Sequence, residues 1–405
     1  MKKNKSDIQQ HICRVFPNIK TQEELLQLIN DIHQQLNADY YARKNQPVPL
    51  IKIKTLTYYK DPKLSGVRRY RKFTIPKKSG KDRQILAPAK GLKLIQQCLN
   101  EIFQALYEPN EYACGFVPKR NVSDGAKKHT NQPYVYNIDL KDFFDTIVFR
   151  RVKAVLALPP FNLKEDREPL SYIIASLCCH PRQFKIIDLD GNEKEETRVC
   201  LPQGAPTSPI LTNIVCRSLD RHLAGLARRF NAQYSRYADD ITFSCHYNIF
   251  KNDSGFIKEM QRIIEDEQNL TINTAKTRLK TYSQRQEVTG LIVNDKVNVT
   301  KQYVKQIRQW LYYWERYGIE RAQQYFESNY VASSKKKTTI PDIDNVIAGK
   351  LDYMRMIVGE SNPAYKKLKE RYNELCGCKR ESPNRIESVQ SDDIGSILDE
   401  LLNSI

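Results

Sequence analysis

Two acidic side chains stand next to each other in the segment Tyr237-Ala238-Asp239-Asp240. Aromatic and β-branched residues flank this segment on both sides, which predicts a β-hairpin with two carboxylates at its tip. Adjacent carboxylates repel each other, so one of them should remain partly protonated unless a cation lies between them. A Mg²⁺ ion resolves this conflict because it prefers hard oxygen ligands. An isolated Asp-Asp pair is more often a solvated turn, and only its context favours a metal site.

A third carboxylate is expected close to this pair. Asp139 directly follows the apolar segment 134–138, and a strand that ends in an acid can pair beside the hairpin in one sheet. Asp139 would then face Asp239, and the two side chains could bridge two Mg²⁺ ions. Two such ions, roughly 3.5–4 Å apart, serve in-line phosphoryl displacement, since one activates the attacking hydroxyl and the other stabilises the leaving oxygen.

Basic side chains at a second predicted hairpin complete this chemistry. Segment 75–86 consists of two apolar strands around a turn that contains Gly80. The cations of this hairpin are Lys77, Lys78, Lys81 and Arg83. Arginine binds phosphate bidentately and lysine acts as a point charge, so the hairpin could hold the triphosphate of a nucleotide. The chain has 65 Lys and Arg against 47 Asp and Glu, a net charge of +18, which indicates a polyanionic partner.

The hydrophobic patterns predict the elements that must hold these side chains in place. Segments 50–60 and 67–76 favour strands, whereas 301–375 is mostly helical. Other helices are predicted at 90–107, 169–180, 209–229 and 255–269, after an N-terminal helix that begins with a capping box at Thr21 and Glu24. Within 301–375, four apolar residues at helical spacing would share one helix face, and we expect this face to pack in the core rather than to stack on bases. They are Ile307, Trp310, Leu311 and Trp314.

The composition predicts a cytoplasmic protein. Ten cysteines are spread over 405 residues, which is typical of reduced thiols rather than of a disulfide framework. No apolar segment approaches the roughly 20 residues that cross a bilayer, so no membrane partner is expected. The charged N-terminus is not followed by an apolar region, so secretion is not expected.

Together with the loop Gln203-Gly204-Ala205-Pro206, these segments resemble the motifs of reverse transcriptases, and most of all those of bacterial retron enzymes. The resemblance covers about residues 50–375. The matching motifs, in chain order, are 75–83 with Leu92-Lys93 and Gln96, 137–144, 201–209, 237–240, Lys276-Thr277 and Val288-Thr289-Gly290. One position departs from the retron pattern, because Gly125 stands where an asparagine is typical, four residues before His129.

The resemblance implies a role for each matching residue. The metal-binding catalytic triad would be Asp139, Asp239 and Asp240. The nucleotide would be bound by Lys77, Arg83, the backbone amides of Asp142 and Phe143, the ring of Phe144, Gln203 and Lys276. Gly290 would form a tight turn that lets the backbone approach the primer.

Three of these implied roles have an ordinary structural alternative. Phe144 would be a steric gate that excludes a ribose 2′-hydroxyl, but core packing also explains a ring at this position. Gln203 would contact the incoming nucleotide, or its amide would simply stabilise the loop. Lys276 would neutralise or protonate the leaving pyrophosphate, or it would be an exposed surface lysine.

The resemblance also implies the fold and the domains. The fold would be an α+β right-hand polymerase with fingers, a palm built on a small antiparallel sheet backed by helices, and a helical thumb. The domains would be N-terminal helices and fingers at 1–133, a palm at 134–295 with a fingers insertion at about 150–200, a thumb at 296–375 and an acidic tail at 376–405.

The implied function is RNA-directed DNA polymerisation. A retron-type enzyme would copy a structured noncoding RNA into DNA from dNTPs with Mg²⁺, as part of an anti-phage defence system with an effector protein. One alternative is another defence-associated or group II-like reverse transcriptase with untemplated or protein-primed synthesis. The other is a noncatalytic RNA-binding protein on a polymerase scaffold. The sequence favours an enzyme because all three acids and the basic hairpin are present.

Overall fold

The structure is a computed structural model, and it describes residues 5–61, 68–76, 82–187, 193–333 and 340–380. The chain forms two compact units. The first unit consists of Met1–Asn121 and Tyr136–Leu279, and the second of Val122–Val135 and Lys280–Ile405. This division follows internal packing, so the polymerase domain boundaries expected from the sequence stay predictions.

Helices make up most of the described chain. In chain order they are α1 (Lys5–Val15), α2 (Gln22–Ala42), α3 (Ile53–Lys60), α4 (Lys90–Leu106), α5 (Val122–Lys127), α6 (Phe143–Thr146), α7 (Phe149–Leu156), α8 (Glu168–Cys178), α9 (Ser208–Val215), α10 (Arg217–Arg229), α11 (Gly255–Gln261), α12 (Lys301–Ser333), α13 (Ile343–Val358) and α14 (Pro363–Arg380). Short 3₁₀ turns lie at Phe16–Asn18 and Glu165–Arg167, and α11 continues as a π-helical turn at Arg262–Glu267. The predicted capping box is present at the start of α2, where Thr21 and Glu24 satisfy each other's backbone N–H groups.

The strands form one four-stranded sheet and three two-stranded ones among the described residues. In chain order they are β1 (Tyr70–Pro76), β2 (Asp82–Pro88), β3 (Tyr134–Asp139), β4 (His180–Ile187), β5 (Glu193–Cys200), β6 (Gln233–Tyr237), β7 (Asp240–Cys245), β8 (Arg278–Thr281), β9 (Glu287–Val288) and β10 (Leu291–Ile292). The four-stranded sheet has the order β6-β7-β3-β8, and β7 is buried on both of its faces beyond Asp240. The centre of this sheet is therefore part of the core.

The prediction of a strand at 50–60 is wrong, because residues Ile53–Lys60 form helix α3. The β-branched and aromatic residues of this segment favour a strand by propensity. Leu56 and Tyr59, however, are three positions apart and both buried, and α3 packs against α8. The gain from burying this helical face outweighs the local preference. The predicted helix at 209–229 is also divided, since α9 ends at Val215 and α10 begins at Arg217.

Three helices dominate the second unit. The described parts of α12, α13 and α14 pack against one another, and α12 is interrupted at Gly318, where φ is +80°. The apolar face of α12 is buried, with Ile307, Trp310, Leu311 and Trp314 all less than a tenth exposed. The prediction that this face packs in a core is confirmed.

The described cysteines are free thiols, and most of them are buried. Burial raises the pKa of Cys98, Cys178 and Cys200 to about 12. Cys13 on α1 is exposed, and Cys376 on α14 is partly exposed. In the part of the chain that the structure describes, no helix has both the length and the apolar character needed to cross a bilayer.

Candidate active site

The acidic pair lies at the tip of a tight hairpin. Strands β6 and β7 pair so that Tyr237 stands opposite Asp240, which leaves Ala238 and Asp239 as a two-residue turn. Ala238 has a φ of +54°, the left-handed conformation that such hairpin turns require. The structure thus has the hairpin that the sequence predicts, with Asp239 in the turn and Asp240 as the first residue of β7.

Strand β3 brings the third acid to the same place. It lies beside β7 in the sheet, and Asp139 is its last residue. The backbone N–H of Leu140 donates a hydrogen bond to the backbone oxygen of Asp239 at 3.0 Å. This bond ties the end of β3 to the hairpin turn, so the expected arrangement of Asp139 beside Asp239 is present.

Burial and neighbouring charges shift the pKa values of the two hairpin carboxylates. Burial is the main cause that raises the pKa of Asp239, and the charge of Asp139 raises it further, whereas Lys276 and Arg83 lower it. Burial, followed by the charges of Asp239 and Asp139, raises the pKa of Asp240 to about 7. Burial and the neighbouring negative charges together leave Asp240 about half protonated near pH 7.

Asp139 is held by a residue that the sequence interpretation missed. The side-chain amide of Asn273 donates to Asp139 Oδ2 at 2.8 Å, and Lys276 Nζ donates to Asp139 Oδ1 at 3.0 Å. The backbone N–H of Asn273 also donates to the backbone oxygen of Asp139 at 2.8 Å. Asn273 lies three positions before Lys276, and the sequence alone shows it as an ordinary polar residue ahead of the Lys276-Thr277 motif.

The chemistry of these donors suits a hard divalent cation. The hairpin carboxylates, whose pKa values the neighbouring acids raise, are stabilised when a dication neutralises them, and carboxylate oxygens are the ligands that Mg²⁺ prefers. Within the described ranges, no three acidic, histidine or cysteine side chains are already arranged so that they could hold a metal ion. Lys276 supplies the positive charge on Asp139 instead, and its side chain is 60% exposed, so it is free to move away.

Helix α6 follows directly after Asp139 and carries the predicted nucleotide-binding residues. Asp142 precedes this helix with a φ of +48° and turns the chain sharply, and its own side chain is exposed. Phe143 is buried in the core, whereas Phe144 is only half-buried, and the two rings meet edge-to-face at 5.8 Å. Core packing thus accounts for Phe143, whereas the Phe144 side chain remains partly accessible.

The Gln203 loop is bound to the basic hairpin. The backbone N–H of Leu86 on β2 donates to the backbone oxygen of Gln203 at 2.8 Å, and the Gln203 side chain is half-buried. Arg83 lies on the same strand and is close enough to Asp239 to lower its pKa. Arg83 and Gln203 are therefore fixed on elements that touch each other, while Lys77 lies outside the described residues.

Gly204→Ala is expected to destabilise the protein. Gly204 has a φ of +118°, and a Cβ atom there would lie 2.8 Å from the backbone oxygen of Leu86 and 2.9 Å from Cγ2 of Ile85. Because the adjacent hydrogen bond holds the two segments together, we expect a loss of about 2 kcal/mol or more in the free energy of unfolding. Thermal melting measures it. Gly225→Ala in α10, where a Cβ would meet nothing within 4 Å, is the control and should be neutral or stabilising; an equal melting temperature for both variants would contradict the prediction.

Gly290 lies in the second unit, in the turn between β9 and β10. Thr289 and Gly290 both have positive φ, +49° and +80°, and Val288 pairs with Leu291. The expected tight turn is present. Its predicted contact with a primer stays a prediction.

The family model of reverse transcriptase (RNA-dependent DNA polymerase) matches residues 75–314. The chain belongs to the reverse transcriptase family. The match spans more than half of the 405 residues and includes all the acidic residues of the candidate site. The α+β right-hand polymerase fold expected from the sequence is thereby confirmed.

Curated relatives of this family member are retron reverse transcriptases, which confirms the retron-type resemblance. The retron Mx65 reverse transcriptase of Myxococcus xanthus is 34% identical over 252 residues, 61% of this chain and 56% of that protein. The retron Mx162 enzyme of the same organism is 34% identical over 241 residues, 56% of this chain and 47% of that protein. The retron Ec86 enzyme of Escherichia coli is 28% identical over 253 residues, which are 59% of this chain and 68% of that protein. The chain thus spans about half the length of the first two relatives.

A solved telomerase structure from Candida albicans, in complex with a TWJ fragment of telomeric RNA, also aligns with this family member. It is 12% identical, has a TM-score of 0.43, and the alignment covers 92% of this chain and 70% of that chain. A likeness at this level supports no inference about function.

Proposed function

We propose that this protein is an RNA-directed DNA polymerase of the retron type, which copies a structured noncoding RNA into DNA. The observation that carries this proposal is the meeting of Asp139 with the Asp239-Asp240 hairpin, tied by the bond between Leu140 N–H and the Asp239 oxygen. The reverse transcriptase family model matches residues 75–314, the range in which these acids lie, and supports the proposal. A noncatalytic RNA-binding protein would need the basic surface but not these converging acids.

The chemistry requires divalent metal, which Asp139, Asp239 and Asp240 would hold. Two Mg²⁺ ions bound to these carboxylates would activate the attacking hydroxyl of the primer and neutralise charge on the leaving pyrophosphate. The surrounding residues would act on the nucleotide itself. Arg83 would pair with triphosphate oxygens, and Lys276, once released from Asp139, would face the leaving group.

Phe144→Val is expected to weaken the discrimination against ribonucleotides. The half-buried ring of Phe144 lies two positions after Asp142 at the start of α6, where we propose that it lies under the sugar. A smaller side chain makes room for the 2′-hydroxyl, and one missing contact of this kind changes discrimination by about 10–200-fold. The kcat/KM ratio for dNTP against rNTP incorporation measures it. Phe149→Val, in a half-buried ring on α7, is the control, and an unchanged ratio in Phe144→Val would assign that ring to packing alone.

The partners follow from the same proposal. They are the noncoding RNA as template and primer, its DNA product and dNTPs, and the net charge of +18 supports a polyanionic partner. We also propose, from the resemblance to retron enzymes, a role in anti-phage defence with an effector protein.

Sequencing the nucleic acid that copurifies with the protein tests the proposal most directly. We expect a DNA strand complementary to a defined part of one RNA, joined to or paired with that RNA. Primer extension on an added RNA template with Mg²⁺ and dNTPs should also give a complementary product. DNA of a sequence unrelated to any RNA would indicate untemplated synthesis, and RNA without DNA or extension would indicate a noncatalytic binder.

A further inference from the structure

A fully buried arginine lies beneath the hairpin that carries the acidic pair. Arg236, on β6, is 1% exposed and precedes Asp239 by three positions. Its Nε and Nη2 atoms donate to the two carboxylate oxygens of Asp220, both at 2.7 Å. Asp220 lies on α10 and is itself fully buried. This is the bidentate geometry in which an arginine–carboxylate pair is strongest.

Other polar side chains form hydrogen bonds with both members of this ion pair. The hydroxyl of Tyr234 donates to Asp220 Oδ1 at 2.8 Å, and the side-chain amide of Asn110 donates to Oδ2 at 2.9 Å. Arg236 Nη2 also donates to the side-chain oxygen of Asn213 at 3.2 Å. A buried ion pair offsets its desolvation only when such extra hydrogen bonds satisfy the remaining polar atoms.

One arm of the guanidinium reaches the catalytic turn. Arg236 Nη1 donates to the backbone oxygen of Ala238 at 3.1 Å. Ala238 is the turn residue with a φ of +54°, a conformation that costs an L-residue roughly 1–2 kcal/mol. The hydrogen bond from Arg236 therefore holds a strained residue in the conformation that presents Asp239.

A second segment, at Cys114 and Gly115, also contacts the hairpin near the turn. The backbone N–H of Cys114 donates to the backbone oxygen of Arg236 at 2.8 Å. A Cβ atom at Gly115 would lie 3.0 Å from the Ala238 backbone nitrogen and 3.1 Å from the ring of Tyr237, so a larger residue here would crowd the turn. The turn is thus enclosed between this segment and the Arg236 guanidinium.

We propose that Arg236 is a positioning residue for Asp239, and that Asp220 holds the guanidinium in place for this task. The proposal rests on the proposed polymerase function. Arg236 does not touch the reacting atoms; it sets the direction of the Ala238 carbonyl and so the position of the next side chain. Lysine cannot replace it, because a single ammonium group cannot bind Asp220 bidentately and reach Ala238 together.

The test compares Arg236→Lys with Tyr234→Phe. Both substitutions remove hydrogen bonds from the same buried network, but the Tyr234 hydroxyl donates to Asp220, whereas Arg236 also donates to the turn. For Arg236→Lys we expect kcat for DNA synthesis to fall by about 10²-fold, the effect of a misplacement near 1 Å. The Mg²⁺ concentration for half-maximal rate should rise, while the Kd for primer–template stays the same. Tyr234→Phe should lower the melting temperature and retain kcat within about threefold.

The outcomes separate the inference from the proposed function. A wild-type protein that does not extend a primer would refute the polymerase function. A wild-type protein that extends, together with an Arg236→Lys variant of equal kcat and Mg²⁺ dependence, would refute the positioning role. The positioning role would also be refuted if Arg236→Lys and Tyr234→Phe both lost kcat in proportion to their loss of melting temperature. If Arg236→Lys does not fold by circular dichroism, Asp220→Asn replaces it, and the same comparison with Tyr234→Phe decides.

Discussion

Asp239→Ala is expected to lower the rate of DNA synthesis by about 10³-fold and to leave the affinity for RNA unchanged. Asp239 lies at the hairpin turn and is tied through its backbone to the residue after Asp139. Removing it takes away a carboxylate that would hold the divalent metal, and losses of about 10²–10³-fold follow from the removal of even one preorganised electrostatic group. Rapid-quench primer extension and filter binding measure the two quantities.

The matched control for this variant is Asp266→Asn. Asp266 is an exposed acid in the same unit, on the π-helical turn that follows α11, and its loss should leave both quantities at the wild-type level. Equal extension by Asp239→Ala and the wild type would contradict the catalytic role of the hairpin. A fall in RNA affinity that matches the fall in rate would place Asp239 in RNA binding or in folding instead.

The metal-free protein is expected to lose stability as the pH rises towards 7. The folded state raises the pKa of Asp240 to about 7 from its ordinary 3.8, chiefly through burial and then through Asp239 and Asp139. The folded protein therefore keeps a proton that the unfolded chain releases near pH 4, so the contribution of Asp240 is complete below about pH 4 and is lost by about pH 7. Melting in EDTA between pH 5 and 8.5 should show this decline.

Asp240→Asn isolates this titration. The amide carries no charge at any of these pH values, so the variant should melt at a higher temperature than the wild type at pH 8 and the difference should shrink at pH 5. Adding Mg²⁺ should stabilise the wild type at pH 8 more than the variant, because ligand binding to the folded state stabilises it. Parallel melting curves for the two proteins across the pH range, with and without Mg²⁺, would show that Asp240 is not the titrating group.

The parts of the site that the sequence predicts are those with local signals. The Asp239-Asp240 hairpin and strand β3 are short segments whose alternation and turn residues determine their structure. The loop after Gln203 contains Gly204, whose positive φ of +118° is a conformation that favours glycine, so this residue type is itself a local signal. The helix at 53–60 was missed because its β-branched residues favour a strand locally, and only packing of Leu56 and Tyr59 against other helices decides the outcome.

The parts that could not be predicted depend on contacts between distant residues. The Asn273 side chain donates a hydrogen bond to Asp139, which lies 134 positions earlier in the chain. Arg236 on β6 forms its ion pair with Asp220 on α10, which lies 16 positions earlier. A single sequence shows each of these residues as an ordinary polar side chain. Their partners are set by the order of the strands and by helix packing, which no local pattern encodes.

The uneven exposure of the thiols makes site-directed labelling of this protein simple. Maleimide dyes react with accessible thiolates; most described cysteines are buried, and burial raises the pKa of Cys98 and Cys178 to about 12. Cys13 on α1 lies open to reagent, and Cys376 on α14 is partly open. A fluorophore can therefore be attached to the first helix after changing only the cysteines near the end of α14, and the core thiols need no replacement.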